Sequence, residues 1–117
     1  MASKVTIYHN PRCSKSRQTL QLLQDKGIEP TVVEYLKEPP SEQTLRDVLK
    51  KLGLRPIEVI RRKEQPFKDL GLAEKQDDDD ALIAAMVANP VLIERPIVVK
   101  GKAARLGRPP EQVLEIL

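Results

Sequence analysis

The chain has 117 residues, of which 40% are hydrophobic and 3% aromatic, with a net charge of +3. That length suits one compact domain with a respectable core, and no apolar run is long enough to span a bilayer. The charge is too mild and dispersed to indicate nucleic acid, and so few aromatics leave no base-stacking platform.

Met1-Ala2-Ser3-Lys4 leads straight into a strand-like run, without signal-peptide architecture. Residues from about Lys4 to His9 read as a buried strand. An amphipathic helix follows from about Ser14 to Lys26, with Leu20, Leu22 and Leu23 on its apolar side and Gly27 as a stop. Thr31 to Leu36 reads as a second strand, completing a β-α-β unit that is expected to be parallel and right-handed. Pro39-Pro40-Ser41 opens another helix. Ser41 is its N-cap, the capping box is incomplete at Thr44, and Leu45, Val48, Leu49 and Leu52 form the apolar face up to Gly53.

The middle is less regular. Pro56 to Arg61 predicts a short helix with proline in its first turn, broken by Gln65-Pro66-Phe67. Asp77-Asp78-Asp79-Asp80 lacks the alternating ligands and the glycine of a calcium loop. Its expected role is to cap the helix that begins at Ala81. Ile97 to Lys100 reads as a strand, paired across Gly101 with Lys102 to Gly107. Pro109-Pro110 starts a final helix with Val113, Leu114 and Leu117 on its inner side. The order is β-α-β, a helical insert, then β-β-α, with no repeat or flexible linker. Residues 1–117 are therefore read as one α/β domain with a helical insertion at about 41–92.

The only cysteine, Cys13, lies where the first strand hands over to the first helix. Helix N–H groups would point at its sulfur and favour the thiolate, the reactive form. Arg12, Lys15 and Arg17 are expected to push the same way. Lowering a thiol by ~2 pKa units takes ~2.7 kcal/mol, whereas a helix terminus supplies roughly 0.3–1, at most about 2. Guanidinium groups would have to supply the rest, and they would also bind an oxyanion. Free cysteines are often merely buried, but the turn before this one and the charges around it argue for exposure. A lone cysteine also excludes an internal disulfide and suits a reducing cytoplasm, the expected location.

Five segments carry a resemblance along almost the whole chain. They are Ile7 to Arg17 (IYHNPRCSKSR), Ile60 to Lys63 (IRRK), Pro66 to Leu72 (PFKDLGL), Ile93 to Val99 (IERPIVV) and Arg105 to Pro109 (RLGRP). In this order the chain resembles the glutaredoxin-linked arsenate reductase family, and that implies a thioredoxin-like fold with a mixed sheet. The resemblance makes Cys13 the nucleophile, with Arg61, Arg95 and Arg108 around the oxyanion. Arg62 is the neighbouring alternative to Arg61. Arginine suits the task because its planar fork is always charged and matches tetrahedral oxyanions. Substrate contact is thus expected at Cys13, Ser14, Lys15, Ser16, Arg61, Arg95 and Arg108, with His9, Asn10 and Pro96 in support. His9 either joins the chemistry or orients the loop. The resemblance also implies a cis bond at Arg95-Pro96.

The implied reaction reduces arsenate to arsenite, with glutathione as co-substrate, glutaredoxin as partner, and no bound cofactor or metal. One thiol fits this, because no resolving cysteine is present. It disfavours the phosphatase-like arsenate reductases, whose loop has an arginine six residues after the cysteine; here that residue is Thr19. Two alternatives stay open. A glutathione-dependent monothiol oxidoreductase would use Cys13-Ser14-Lys15-Ser16, but its disulfide substrate has no oxyanion for three arginines. A noncatalytic thioredoxin-fold regulator would bind a protein partner, yet such regulators resemble Cys-x-x-Cys switches and position 16 is serine.

Overall fold

The computed structural model describes residues 4–117. They pack as two compact units, a sheet unit that runs up to Glu38 and resumes at Arg95–Leu117, and a helical unit, Pro39–Glu94.

In the sheet unit, β1 (Val5–His9), α1 (Ser14–Asp25) and β2 (Thr31–Glu34) precede β3 (Ile97–Lys100) and β4 (Ala103–Leu106). The sheet order is β2-β1-β3-β4. β1 runs parallel to β2, with Ile7 opposite Val32, and antiparallel to β3, with Ile7 opposite Val98. β3 and β4 form a hairpin closed at Gly101, whose φ of 59° suits glycine. This mixed sheet, a parallel β-α-β unit beside an antiparallel hairpin, is the thioredoxin-like arrangement.

Strand alternation sets what comes next. In β1 the residues Val5, Ile7 and His9 are buried in turn, so His9 continues the apolar face. α1 meets that side with Ser16, Thr19 and Leu23, spaced three and four residues apart. Leu20 and Leu22, expected to mark the buried side, are only partly buried around a core of Val5, Ile7, Leu23, Val98 and Val113. The terminal segment Pro110–Ile116 is a 3-10 helix rather than an α-helix. Three residues per turn place Pro110 and Val113, both buried, on one side.

The helical unit contains α2 (Glu42–Leu52), α3 (Gln65–Asp69) and α4 (Asp79–Ala88), with 3-10 turns at Pro56–Glu58, Leu72–Glu74 and Pro90–Leu92. Ser41 caps α2 by accepting the Thr44 N–H at 3.1 Å, and Gly53 ends it at a φ of 70°. Gln65-Pro66-Phe67 begins α3 instead of only breaking what precedes it, because proline is tolerated in a first turn. Asp78 accepts the Ala81 N–H and caps α4. α4 buries Leu82, Ile83, Ala85 and Met86. Truncating Leu82, fully buried, would cost about 2–5 kcal/mol.

Candidate active site

Cys13 is the N-cap residue of α1, in extended conformation, and is partly exposed. A tight turn holds it there. Its N–H donates to Asn10 O at 3.0 Å, and the Arg12 N–H donates to Asn10 Oδ1 at 3.0 Å. Beneath the turn, Ser16 Oγ accepts the Asn10 N–H at 3.0 Å and lies 2.6 Å from His9 Nδ1. The hydroxyl keeps a second lone pair, so the histidine tautomer sets which group donates across this contact. Burial lowers the histidine pKa, Glu34 opposes that, and Arg17 adds to it. The net displacement is downward, which favours the neutral ring.

At the sulfur, burial pushes the thiol pKa up. The Ser16 N–H, the Arg95 guanidinium and the Lys15 N–H act against burial, and the net displacement is downward. Arg108 Nη2 lies 3.7 Å from the sulfur, and its Nε donates to Arg95 O at 2.8 Å. Cys13, Arg95 and Arg108 thus meet, although 82 residues separate the first two in sequence. Both Arg95-Pro96 and Arg108-Pro109 are cis. A partly exposed thiol of lowered pKa beside two guanidinium groups is suited to attack an oxyanion.

The model described as "ArsC family" matches residues 8–116. The chain belongs to the ArsC family. It is 58% identical over 118 residues to the Escherichia coli K12 protein called "Uncharacterized protein YfgD", covering 100% of this chain and 99% of that protein. It is 50% identical to an arsenate reductase of Rhizobium meliloti, over 97% of this chain and 81% of the relative. An arsenate reductase structure from Vibrio cholerae superposes with a TM-score of 0.95, at 54% identity and complete coverage of both chains.

Within this ArsC chain the site differs in detail from the sequence reading. Arg12, Lys15 and Arg17 were expected to act on the sulfur through their charges. Their side chains are instead exposed, and Arg17 Nη1 donates to Pro11 O at 3.1 Å. First-turn side chains splay outward while N–H groups point along the helix axis, so Lys15 and Ser16 act through their backbone. The charge that lowers the thiol pKa comes from Arg95. Ser14 is exposed, and the Ser16 hydroxyl, fully buried, serves the loop beneath the thiol.

Arg61 belongs to the helical unit. Its N–H donates to Leu92 O at 2.7 Å, and its guanidinium donates to Glu94 Oε1 at 2.8 Å and to Glu64 Oε1 at 3.3 Å. Arg62 is exposed. Two contributors escaped the sequence reading. Thr19, fully buried, donates its hydroxyl to Lys15 O at 2.8 Å, and the 16-19-23 spacing could have flagged it. Gly107 packs so closely that a Cβ would collide with Thr19 and stand 2.7 Å from Pro96 Cγ. No group of three or more His, Cys, Asp or Glu among the described residues could hold a metal, and no helix among them is long and apolar enough to cross a membrane.

Proposed function

We propose that this chain reduces arsenate to arsenite, with glutathione and glutaredoxin supplying the electrons in the cytoplasm. One observation carries the reading: a Cys13 thiol of lowered pKa flanked by the Arg95 and Arg108 guanidinium groups. The arsenate reductases of similar sequence and structure support it. Arg61 is assigned to the same oxyanion on the family resemblance, and residues at about 41–92 are read as an insertion in one domain.

The Cys13 thiolate attacks arsenic, and a protonated arsenate oxygen leaves as water, giving a thiol-linked arsenic(V) species. The arginines balance the oxyanion's charge, and the N–H groups of Lys15 and Ser16 stabilise the thiolate before attack. Glutathione then displaces a second oxygen as water. A glutaredoxin thiolate attacks the glutathione sulfur and forms a mixed disulfide. The As–S bonding pair stays on arsenic, which becomes arsenic(III), still bound to Cys13. Water replaces the thiolate, and arsenite leaves. His9, Asn10 and Ser16 hold the loop and stay outside the bond changes.

The test is NADPH oxidation by purified protein with arsenate, glutathione, glutaredoxin and glutathione reductase, with arsenite measured directly. The reading expects arsenite in step with NADPH, near-complete loss without glutaredoxin, and competition by phosphate. Turnover of a glutathione mixed disulfide but not of arsenate, with several glutaredoxins tried, would replace it with the monothiol oxidoreductase.

A further inference from the structure

Arg61 is already occupied by carboxylates of its own chain. Glu64 Oε1 takes its Nε at 3.3 Å and Glu94 Oε1 takes its Nη1 at 2.8 Å. These side chains are only 23–29% exposed. The Arg46–Asp80 and Arg55–Asp79 pairs are more exposed, at 37% and 83% and at 51% and 47%.

The backbone fixes the arrangement. Ile60 pairs with Ile93 in an antiparallel bridge, Arg61 N–H donates to Leu92 O, and Glu94 N–H donates to Val59 O at 2.8 Å. Glu94 is thereby held beside Arg61 whatever their side chains do. A guanidinium grips a tetrahedral oxyanion along one of two edges, Nε with Nη2 or Nη1 with Nη2. Each edge already has one nitrogen engaged. The pair is also shielded from water, so its attraction is less screened than that of a surface pair.

We propose that Glu94, assisted by Glu64, is an internal competitor for the oxyanion at Arg61 and so sets the affinity of the site for tetrahedral oxyanions. This inference rests on the proposed assignment of Arg61 to the substrate. An entering oxyanion must displace or share a carboxylate contact, so oxyanion affinity stays below what three arginines would otherwise give. Glu94 is a specificity-determining residue that acts through Arg61 and makes no bond to arsenic.

The test uses the full chain and a neutral alkylating reagent, iodoacetamide, at fixed pH. Phosphate, and separately sulfate, is titrated to find the concentration that halves the alkylation rate of Cys13. In Glu94→Gln that concentration should fall about three- to tenfold, less than a whole charge-assisted hydrogen bond because the glutamine amide oxygen can still accept from Arg61. The gain should vanish in Arg61→Ala/Glu94→Gln. Glu64→Gln, altered only at the longer contact, should shift it less but in the same direction, and it carries the test if Glu94→Gln fails to fold. An unchanged or raised half-protecting concentration in the single variants overturns the inference, as does a gain that survives loss of Arg61. If wild type is protected by neither anion, the oxyanion reading itself falls, and this inference with it. Protection of wild type without improvement in the variants defeats only the inference.

Discussion

The Cys13 loop of the sheet unit and the acidic run of the helical unit use charge in opposite ways. In the sheet unit, Arg95 and Arg108 both approach the Cys13 sulfur, and the loop beneath is built from buried, hydrogen-bonded His9, Asn10 and Ser16. In the helical unit, Arg46 and Arg55 reach Asp80 and Asp79 across exposed surface, at 2.8 and 2.9 Å. Both contacts have good geometry. Their consequences differ because water screens the second set more than the first. The number of charges in a stretch of sequence says little about their work. Asp77 to Asp80 is the longest run of one charge sign in the chain and ends up as a cap with surface pairs, while two separated arginines meet the sulfur.

The sharpest way to break this contrast is to remove one group from each unit. Cys13→Ser should lower arsenate turnover in the coupled assay more than about a thousandfold, since a hydroxyl is a far poorer nucleophile at neutral pH. Arg46→Ala should leave it within about twofold. Next come the arginines of the sheet unit. Arg95→Lys and Arg108→Lys keep the charge but lose the fork. Each should reduce kcat/KM about ten- to a hundredfold, corresponding to roughly 1.5–3 kcal/mol for one charge-assisted hydrogen bond.

The loop should respond in stability. Ser16→Ala strips partners from His9 Nδ1 and the buried Asn10 N–H, and should cost about 1–3 kcal/mol in urea unfolding. Its pH dependence has a definite sign. The folded histidine pKa is lowered, so the unfolded chain takes up the proton first. The contribution of His9 is complete above the unfolded value of ~6.5 and is lost as pH falls below it. The urea midpoint should drop between about pH 7 and 5, and His9→Gln should flatten that part of the profile. The smallest effect belongs to Arg55→Ala. Its melting temperature should differ only slightly from wild type at low salt, and the difference should disappear at high salt.

Much of the fold was legible because periodicity and turn residues agreed. Ile97 to Lys100 forms a strand where expected, Ser41 and Gly53 bound α2, and the acidic run caps α4. Local spacing was less informative where polar residues are buried. Ser16 and Thr19 occupy the inner stripe of α1 ahead of Leu23, so counting leucines alone tilted that helix away from its true face. At the site, Cys13 was legible from its strand-to-helix position. Its convergence with Arg95 and Arg108 came from resemblance, because no local pattern encodes contacts between distant segments. The Glu94 carboxylate on Arg61 was not legible: it arrives through a bridge between residues 33 positions apart.

The central claim is that backbone N–H groups and distant guanidinium groups overcome burial and hold the Cys13 thiol pKa below its ordinary value. The alkylation rate of Cys13 against pH measures this directly. The account predicts a midpoint below the unperturbed thiol value of ~8.5, moving upward in Arg95→Gln. A midpoint at or above ~8.5 in the wild type would contradict it.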